Sequence, residues 1–73
     1  STLKSIKKAL FLLKKNGLLL VTCYTGHEGG MEEWKALKEY LKGLDQNVYS
    51  VLEFNFINQK NNHPILYGIE KNS

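Results

Sequence analysis

Two short polar stretches contain the residues of this chain best suited to binding a substrate. Residues 25–30 read Thr-Gly-His-Glu-Gly-Gly, and residues 57–64 read Ile-Asn-Gln-Lys-Asn-Asn-His-Pro. Each stretch directly follows a predicted strand. If those strands are parallel, both stretches lie at the carboxyl edge of one sheet, where ligands bind in open α/β sheets. Glycines let a substrate approach the backbone closely, and asparagine side chains offer paired donors and acceptors.

The candidate substrate-binding residues are His27, Gly29, Gly30, Asn58, Asn61, Asn62 and Pro64. The histidine could contact substrate or transfer a proton, because its ordinary pKa is near neutrality, or it could simply bond to nearby backbone. The two glycines permit close substrate approach or merely begin a helix. The asparagines could read a base edge or an amine, or only form a turn. No residue is identified as catalytic.

Composition places the chain among small globular domains. It has 73 residues, 42% of them hydrophobic, and a net charge of +3. A domain of this size buries only roughly 60% of the surface that its unfolded chain exposes. Every basic residue is a lysine, and lysine lacks the flat fork with which arginine grips phosphate or guanine. The lysines of the first helix therefore predict a solvated face, with contact to phosphates as the alternative.

The single cysteine, Cys23, lies in an apolar run and has no partner for a disulfide within the chain, which fits a reducing cytoplasm. A buried strand thiol is normally inert, so we do not expect it to be a nucleophile. With His27 and His63 it falls short of a structural zinc set, and no metal site is predicted. No stretch approaches the roughly 20 apolar residues of a membrane helix.

Two apolar stripes at helical spacing predict two helices. The first, over residues 2–15, consists of Leu3, Ile6, Leu10 and Leu13; the second consists of Met31, Trp34, Leu37, Leu41 and Leu44. Asn16-Gly17 predicts the end of the first helix, with the glycine in the left-handed conformation. Trp34 and Tyr40 are expected in the core and between helices rather than as platforms for bases.

Three segments predict strands. Residues 18–25 are continuously apolar, which favours a strand covered on both faces, and residues 48–57 and 65–71 follow later. A helix separates the first two strands, so they should be parallel, whereas the short last connection predicts an antiparallel third strand. We therefore expect an α/β fold with the order helix–strand–helix–strand–strand. Its incompleteness suggests the C-terminal part of a larger α/β domain.

Four segments together resemble a known family. They are Leu-Leu-Lys-Lys-Asn-Gly-Leu-Leu-Leu-Val at 12–21, Tyr-Thr-Gly-His-Glu-Gly-Gly at 24–30, Phe-Ile-Asn-Gln-Lys-Asn-Asn at 56–62 and Gly-Ile-Glu-Lys at 68–71. Their order and spacing resemble the C-terminal half of the Putative rRNA methylase family. Its members are small bacterial class I methyltransferases that use S-adenosylmethionine, and some are assigned as tRNA methyltransferases acting on the aminomethyl group of a modified wobble uridine.

The resemblance implies a Rossmann-like class I methyltransferase fold. The three predicted strands become its fifth, sixth and seventh, in a mixed sheet with the last strand antiparallel and central. It implies RNA as the substrate of the parent protein, tRNA more than rRNA, and a homodimer is a candidate assembly. One departure is His63 before Pro64, where the family usually has two prolines.

The resemblance also implies that S-adenosylmethionine binds elsewhere in the parent. Class I enzymes hold it with a glycine-rich turn after their first strand and an acid after the second, and nothing here matches both. We therefore expect residues 1–73 to be the C-terminal part of one methyltransferase domain, to lack cofactor-binding residues and to be inactive alone. Two alternatives are a free-standing α/β module that binds nucleic acid or an acidic partner through its basic helix, and a small-molecule methyltransferase.

Overall fold

The computed structural model describes residues 2–26, 28–59 and 64–73. Its elements in chain order are helix α1 (Thr2–Leu12), strand β1 (Leu18–Tyr24), helix α2 (Gly30–Lys42), strand β2 (Tyr49–Phe54) and strand β3 (Pro64–Lys71). The predicted element order is confirmed. The largest error in the predicted bounds concerns β2, which is six residues long instead of ten.

The strands form one sheet in the order β1-β3-β2. Both hydrogen-bonded ladders are antiparallel, β1 with β3 and β2 with β3, so β1 and β2 run parallel to each other. Tyr67, in the middle of β3, is paired with Val21 on one side and with Glu53 on the other. The α/β class and the predicted spatial order, with the last strand central and antiparallel, are therefore confirmed.

The left-handed residue in the turn between α1 and β1 is not the predicted one. Asn16 has φ 68°, whereas Gly17 is not among the residues with positive φ. Gly17 is needed for space, because a Cβ there would lie 2.8 Å from Leu13 Cδ1 and from the Lys14 carbonyl oxygen. The Asn16 amide donates to the Lys71 carbonyl over 2.7 Å, and the Lys71 amide donates to the Gly17 carbonyl over 3.0 Å.

The hydrophobic core lies between the helices and one face of the sheet. Its buried members are Ile6 and Leu10 of α1, Leu37 and Leu41 of α2, and Ile65, Tyr67 and Ile69 of β3. The strand residues that alternate towards this core are odd-numbered, because the side chains of a strand point to its two faces in turn. Trp34 and Tyr40 are half-buried against the core, which agrees with their expected packing in the core and between helices.

The opposite face of the sheet is exposed, which corrects the expectation that β1 is covered on both sides. The burial of β1 alternates, and Leu18 and Leu20 are each 61% exposed. Leu52 and Phe54 of β2 are exposed on the same face. Both helices pack on the other side, so this chain supplies one covering layer only. In the described part of the chain, neither helix is long and apolar enough to cross a membrane.

Candidate functional site

The two polar stretches leave the sheet at the same edge. Tyr24, the last residue of β1, is paired with Pro64, the first residue of β3, and Phe54, the last residue of β2, is paired with Leu66. The ends of β1 and β2 are separated only by β3, that is, by two strand spacings of roughly 10 Å in total. Both stretches therefore begin on one side of the molecule, within reach of one bound nucleotide-sized ligand.

The glycines of the first stretch form the start of α2. Gly29 is the N-cap residue, with φ 80° and ψ −8°, and its carbonyl accepts the first helical hydrogen bond from the Glu33 amide over 3.0 Å. Only glycine adopts this left-handed backbone without strain. Gly30 is the first residue of the helix and is buried. The two glycines therefore shape the start of α2. The backbone amides of the first turn of this helix lie at the candidate site.

Of the five remaining candidates, two lie among the described residues and three do not. Asn58 is exposed in the segment after β2, and Pro64 is exposed at the start of β3. His27, Asn61 and Asn62 lie outside the residues that the structure describes. The structure thus brings Gly29, Gly30 and Pro64 to one edge of the sheet, and the predicted roles of all seven residues in substrate binding stay predictions.

A cavity of about 130 Å³ lies between the end of β1 and the first turns of α2. It is lined by Thr22, Cys23, Tyr24, Gly30, Glu33, Trp34 and Leu37. Burial raises the pKa of the Cys23 thiol, and the negative charge of Glu33 raises it further. A thiol with a raised pKa stays protonated at neutral pH and is a poor nucleophile, which supports the expectation that Cys23 is inert.

The central contact of this region joins α2 to β3. The Trp34 indole nitrogen Nε1 donates a hydrogen bond to the Tyr67 hydroxyl oxygen over 2.7 Å. Tyr67 is only 2% exposed, so the bond is made in a largely water-excluded site. Burial raises the pKa of the Tyr67 hydroxyl; the hydrogen bond from Trp34 lowers it, and the charges of Glu53 and Cys23 raise it.

A charged pair extends this contact to β2. Lys38 Nζ lies 3.5 Å from Glu53 Oε2 and also 5.1 Å from the centre of the Trp34 ring. The pair borders a groove of about 280 Å³ between α2 and β2 that also includes Tyr49, Val51 and Tyr67. A partly exposed ion pair and a cation–π contact each contribute only about 0–1 kcal/mol, so Lys38 links Trp34 to Glu53 without adding much stability.

The sequence did not reveal the contact between Trp34 and Tyr67. Helical spacing places Trp34 on the buried stripe of α2, but nothing in the sequence gives the register of β3 beneath that stripe. The two residues are 33 positions apart, which is beyond the reach of any local pattern. The only available indication was the presence of the tryptophan on the buried stripe and of a tyrosine in the last predicted strand, because both side chains carry a polar atom that needs a partner when buried.

The described residues offer no metal centre, since no three His, Cys, Asp or Glu side chains are grouped there in a way that could hold an ion. They do not fit S-adenosylmethionine either. The acid required next to the glycine turn would have to follow a neighbouring parallel strand. The neighbour of β1 is β3, which is antiparallel and starts at this edge with Pro64, while Glu53 near the end of β2 is paired with Lys38.

An α/β sheet whose last strand is inserted antiparallel between two parallel strands, with polar stretches at their carboxyl ends, is the architecture that the resemblance implies. The family model described as Putative rRNA methylase matches residues 1–70. The chain belongs to this family. The match covers both polar stretches and all five elements of secondary structure except Lys71, the last residue of β3.

Three solved structures are similar to the chain throughout its length. A putative rRNA methylase from Clostridium thermocellum is 43% identical with a TM-score of 0.90, covering 96% of this chain and 38% of its own. A putative methyltransferase from Streptococcus mutans in complex with SAH is 38% identical with a TM-score of 0.88, covering 96% and 38%. An rRNA methylase from Streptococcus thermophilus is 40% identical with a TM-score of 0.86, covering 99% and 40%.

A curated relative from Arabidopsis thaliana is named tRNA (mnm(5)s(2)U34)-methyltransferase, chloroplastic. It is 32% identical to this chain over 59 residues, which are 81% of the chain and 22% of the relative. The chain thus spans about a fifth of the length of this relative and about two fifths of the solved structures. The Rossmann-like methyltransferase fold of these neighbours is the fold to which this sheet belongs.

Proposed function

We propose that this chain is the substrate-side, C-terminal part of a single methyltransferase domain that transfers a methyl group from S-adenosylmethionine to RNA. The observation that carries the proposal is the family match over residues 1–70, with both polar stretches at one edge of the sheet. A neighbour with a TM-score of 0.88 is a methyltransferase in complex with SAH, the product of that cofactor, which supports the same cofactor for the parent.

Among RNAs, we favour tRNA over rRNA. The curated relative is named as a tRNA methyltransferase of a modified uridine, while the family and two solved neighbours carry the name rRNA methylase. We give the curated name more weight because it specifies one nucleoside.

The proposed task of this chain is to bind and orient the nucleoside. Its proposed binding residues are His27, Gly29, Gly30, Asn58, Asn61, Asn62 and Pro64. Holding the acceptor atom in line with a methyl donor turns a bimolecular step into an effectively unimolecular one, which contributes a large part of the rate of such reactions. S-Adenosylmethionine supplies the methyl group when it is bound by the rest of the protein, because the described residues here do not fit it.

The first experiment separates substrate binding from turn formation. In the full-length protein, His27→Ala and Asn61→Ala should lower methyl transfer to tRNA purified from cells that lack this methyltransferase, while the affinity for cofactor and the melting temperature stay nearly unchanged. Asn47→Ala is the matched control, since Asn47 is exposed at the opposite edge of the sheet. If the two stretches only shape turns, the substitutions should instead lower stability by roughly 1 kcal/mol and leave the turnover of folded protein intact.

The acceptor class is tested with radiolabelled S-adenosylmethionine and three acceptors: bulk tRNA, rRNA and a deproteinised small-molecule extract. We expect label in tRNA. Label in rRNA alone would overturn the preference for tRNA, and label only in the extract would favour a small-molecule methyltransferase.

Calorimetric titration with S-adenosylmethionine tests whether the cofactor site lies in the rest of the domain. The full-length protein should bind the cofactor, and the 73-residue chain should give no measurable heat of binding. Binding of the short chain at micromolar concentration would refute the assignment of the cofactor site to the rest of the domain.

Assembly of the parent as a homodimer is a separate proposal, which sedimentation of the full-length protein decides. The cytoplasmic location stays a prediction.

A further inference from the structure

The positive charge of this chain is concentrated in its first third. Residues 1–27 contain five lysines and no acidic residue, whereas residues 28–73 contain five lysines and seven acidic residues. In the structure, all five of the early lysines are exposed, on α1 and in the turn after it. They are Lys4, Lys7, Lys8, Lys14 and Lys15. We call these lysines, together with Phe11, the α1 surface.

Phe11 is the feature that a merely solvated lysine face does not explain. It is 83% exposed, while Ile6 and Leu10 on the other side of the same helix are buried in the core. Lys8 lies three positions before Phe11, so on a helix the two are neighbours, whereas Lys7, four positions before Phe11, has its Nζ 5.0 Å from the centre of the Tyr40 ring. A fully exposed aromatic ring flanked by lysines is the combination with which proteins bind single-stranded nucleic acid, because bases stack on the ring and the cations contact the phosphates.

We propose that the α1 surface binds an unpaired segment of the RNA substrate outside the candidate nucleoside site. The inference rests on the proposed function, since it assigns a second contact to the same RNA. Charge complementarity supports RNA as the occupant, because residues 1–27 contain five lysines and no acidic residue. An anionic membrane is a weaker fit, because α1 has its main apolar stripe in the core and exposes only Phe11 and Leu12.

The lysine part of the proposal is tested in the full-length protein with a fluorescently labelled tRNA transcript at several salt concentrations. The test variant is Lys8→Gln/Lys14→Gln. The control is Lys35→Gln/Lys42→Gln, which removes the same charge from α2, where Glu39 lies within four positions of both lysines. The slope of log K against log salt should fall in magnitude by about 1.4 in the test variant, at about 0.7 per phosphate contact, and should hardly change in the control.

The aromatic part has its own variant pair. Phe11→Ala should weaken RNA binding by roughly 5- to 150-fold, the loss expected for one stacked base, while the salt slope stays unchanged. Phe11→Tyr keeps the ring and should bind as the wild type does. Both variants should keep the melting temperature of the wild-type full-length protein; a clearly lower value for Phe11→Ala would show that the rest of the domain covers Phe11 and would overturn the aromatic part of the proposal.

The outcomes separate this inference from the proposed function. If wild-type protein binds and methylates tRNA but the test and control variants have the same slope, the α1 surface is not an RNA contact and the proposed function stands. If wild-type protein does not bind tRNA even at low salt, the proposed function fails first. If Lys8→Gln/Lys14→Gln leaves tRNA binding intact but abolishes binding to vesicles of anionic lipid, the surface binds membranes and the inference is overturned.

Discussion

The Trp34 indole and the Tyr67 hydroxyl join the first half of α2 to the central strand β3 through a hydrogen bond of 2.7 Å. The same indole ring lies under Lys38, which is paired with Glu53 of β2. The start of α2 is therefore fixed to two strands at once. Since α2 begins at Gly30, the last residue of the first polar stretch, this contact also helps to position the proposed binding edge.

Removing the acceptor of this bond should destabilise the protein. Tyr67→Phe leaves the indole N–H of the half-buried Trp34 without this acceptor, which costs about 1 kcal/mol of the free energy of unfolding. Trp34→Phe removes the donor, and the double variant should show a coupling energy of about 0.5–3 kcal/mol in a urea-unfolding cycle. A coupling near zero would mean that the bond contributes nothing in solution.

The ionisation of Tyr67 gives a pH-dependent test of the same contact. Burial raises the pKa of its hydroxyl, while the hydrogen bond from Trp34 lowers it. Trp34→Phe should therefore move the titration of Tyr67 to still higher pH. The difference in ultraviolet absorbance between each protein and its Tyr67→Phe counterpart isolates this one tyrosine. A shift to lower pH in Trp34→Phe would contradict the assignment of Trp34 as the donor.

Because the pKa of Tyr67 is raised in the folded state, the free energy of unfolding should depend on pH in the alkaline range. The unfolded tyrosine loses its proton near pH 10, where the folded one still holds it. The unfolded state then binds fewer protons than the folded state, so the free energy of unfolding falls as the pH rises above about 10. The stability advantage of wild type over Tyr67→Phe should shrink in that range and stay constant at lower pH.

The thiol of Cys23 should react slowly and only at high pH. Burial and then the charge of Glu33 raise its pKa, and the thiolate is the reactive form. The rate of alkylation by iodoacetamide, followed by mass spectrometry of the Cys23 peptide, should have its midpoint above the pH of an ordinary thiol. Glu33→Gln should move the midpoint down. A midpoint below the ordinary value would identify Cys23 as an activated thiol instead.

The strand directions were predictable because they depend on connections, whereas the insertion of β3 between β1 and β2 was implied by the family resemblance. A helix-length connection between β1 and β2 requires parallel strands, and the short connection before β3 requires an antiparallel one. The end of β2 was not predictable, because Phe56 and Ile57 continue the apolar run beyond the ladder. Ile57 lies beyond the end of β2 and is 96% exposed, so its apolar side chain is not part of a strand or of the hydrophobic core of this chain.

The candidate edge of the sheet was predictable for the same topological reason, whereas the contacts that fix it were not. Parallel strands end on one side, which placed both polar stretches without any knowledge of side chains. The partner of Trp34 depends on how α2 lies over β3, which is decided by packing of the whole core. The exposed sheet face of Leu20 and Leu52 was wrongly expected to be covered, because the apolar run of β1 does not indicate which segment supplies the second layer.

Gly29 should be intolerant of a side chain for conformational reasons alone. An added Cβ would meet no atom within 4 Å, but the residue has φ +80°. Gly29→Ala should therefore cost about 1–2 kcal/mol of the free energy of unfolding, and Gly29→Asn clearly less, because asparagine tolerates this region. Gly43→Ala is the control at the other end of α2, where φ is −85° and the nearest contact of a Cβ is an ordinary 3.6 Å. Equal losses at both positions would contradict the strained start of α2.

In the turn before β1, glycine should be required for space and not for its backbone conformation. Gly17→Ala should destabilise by about 1–3 kcal/mol, because the new Cβ would lie 2.8 Å from Leu13 Cδ1 and from the Lys14 carbonyl oxygen. Leu13→Ala in the same chain should not restore the full loss, since the backbone oxygen cannot move away as a side chain can. Asn16→Gly should be nearly neutral, because glycine occupies φ 68° without strain. Urea unfolding of the three variants decides between the two residues: if Asn16→Gly is the costly change and Gly17→Ala the harmless one, crowding is not what requires glycine in this turn.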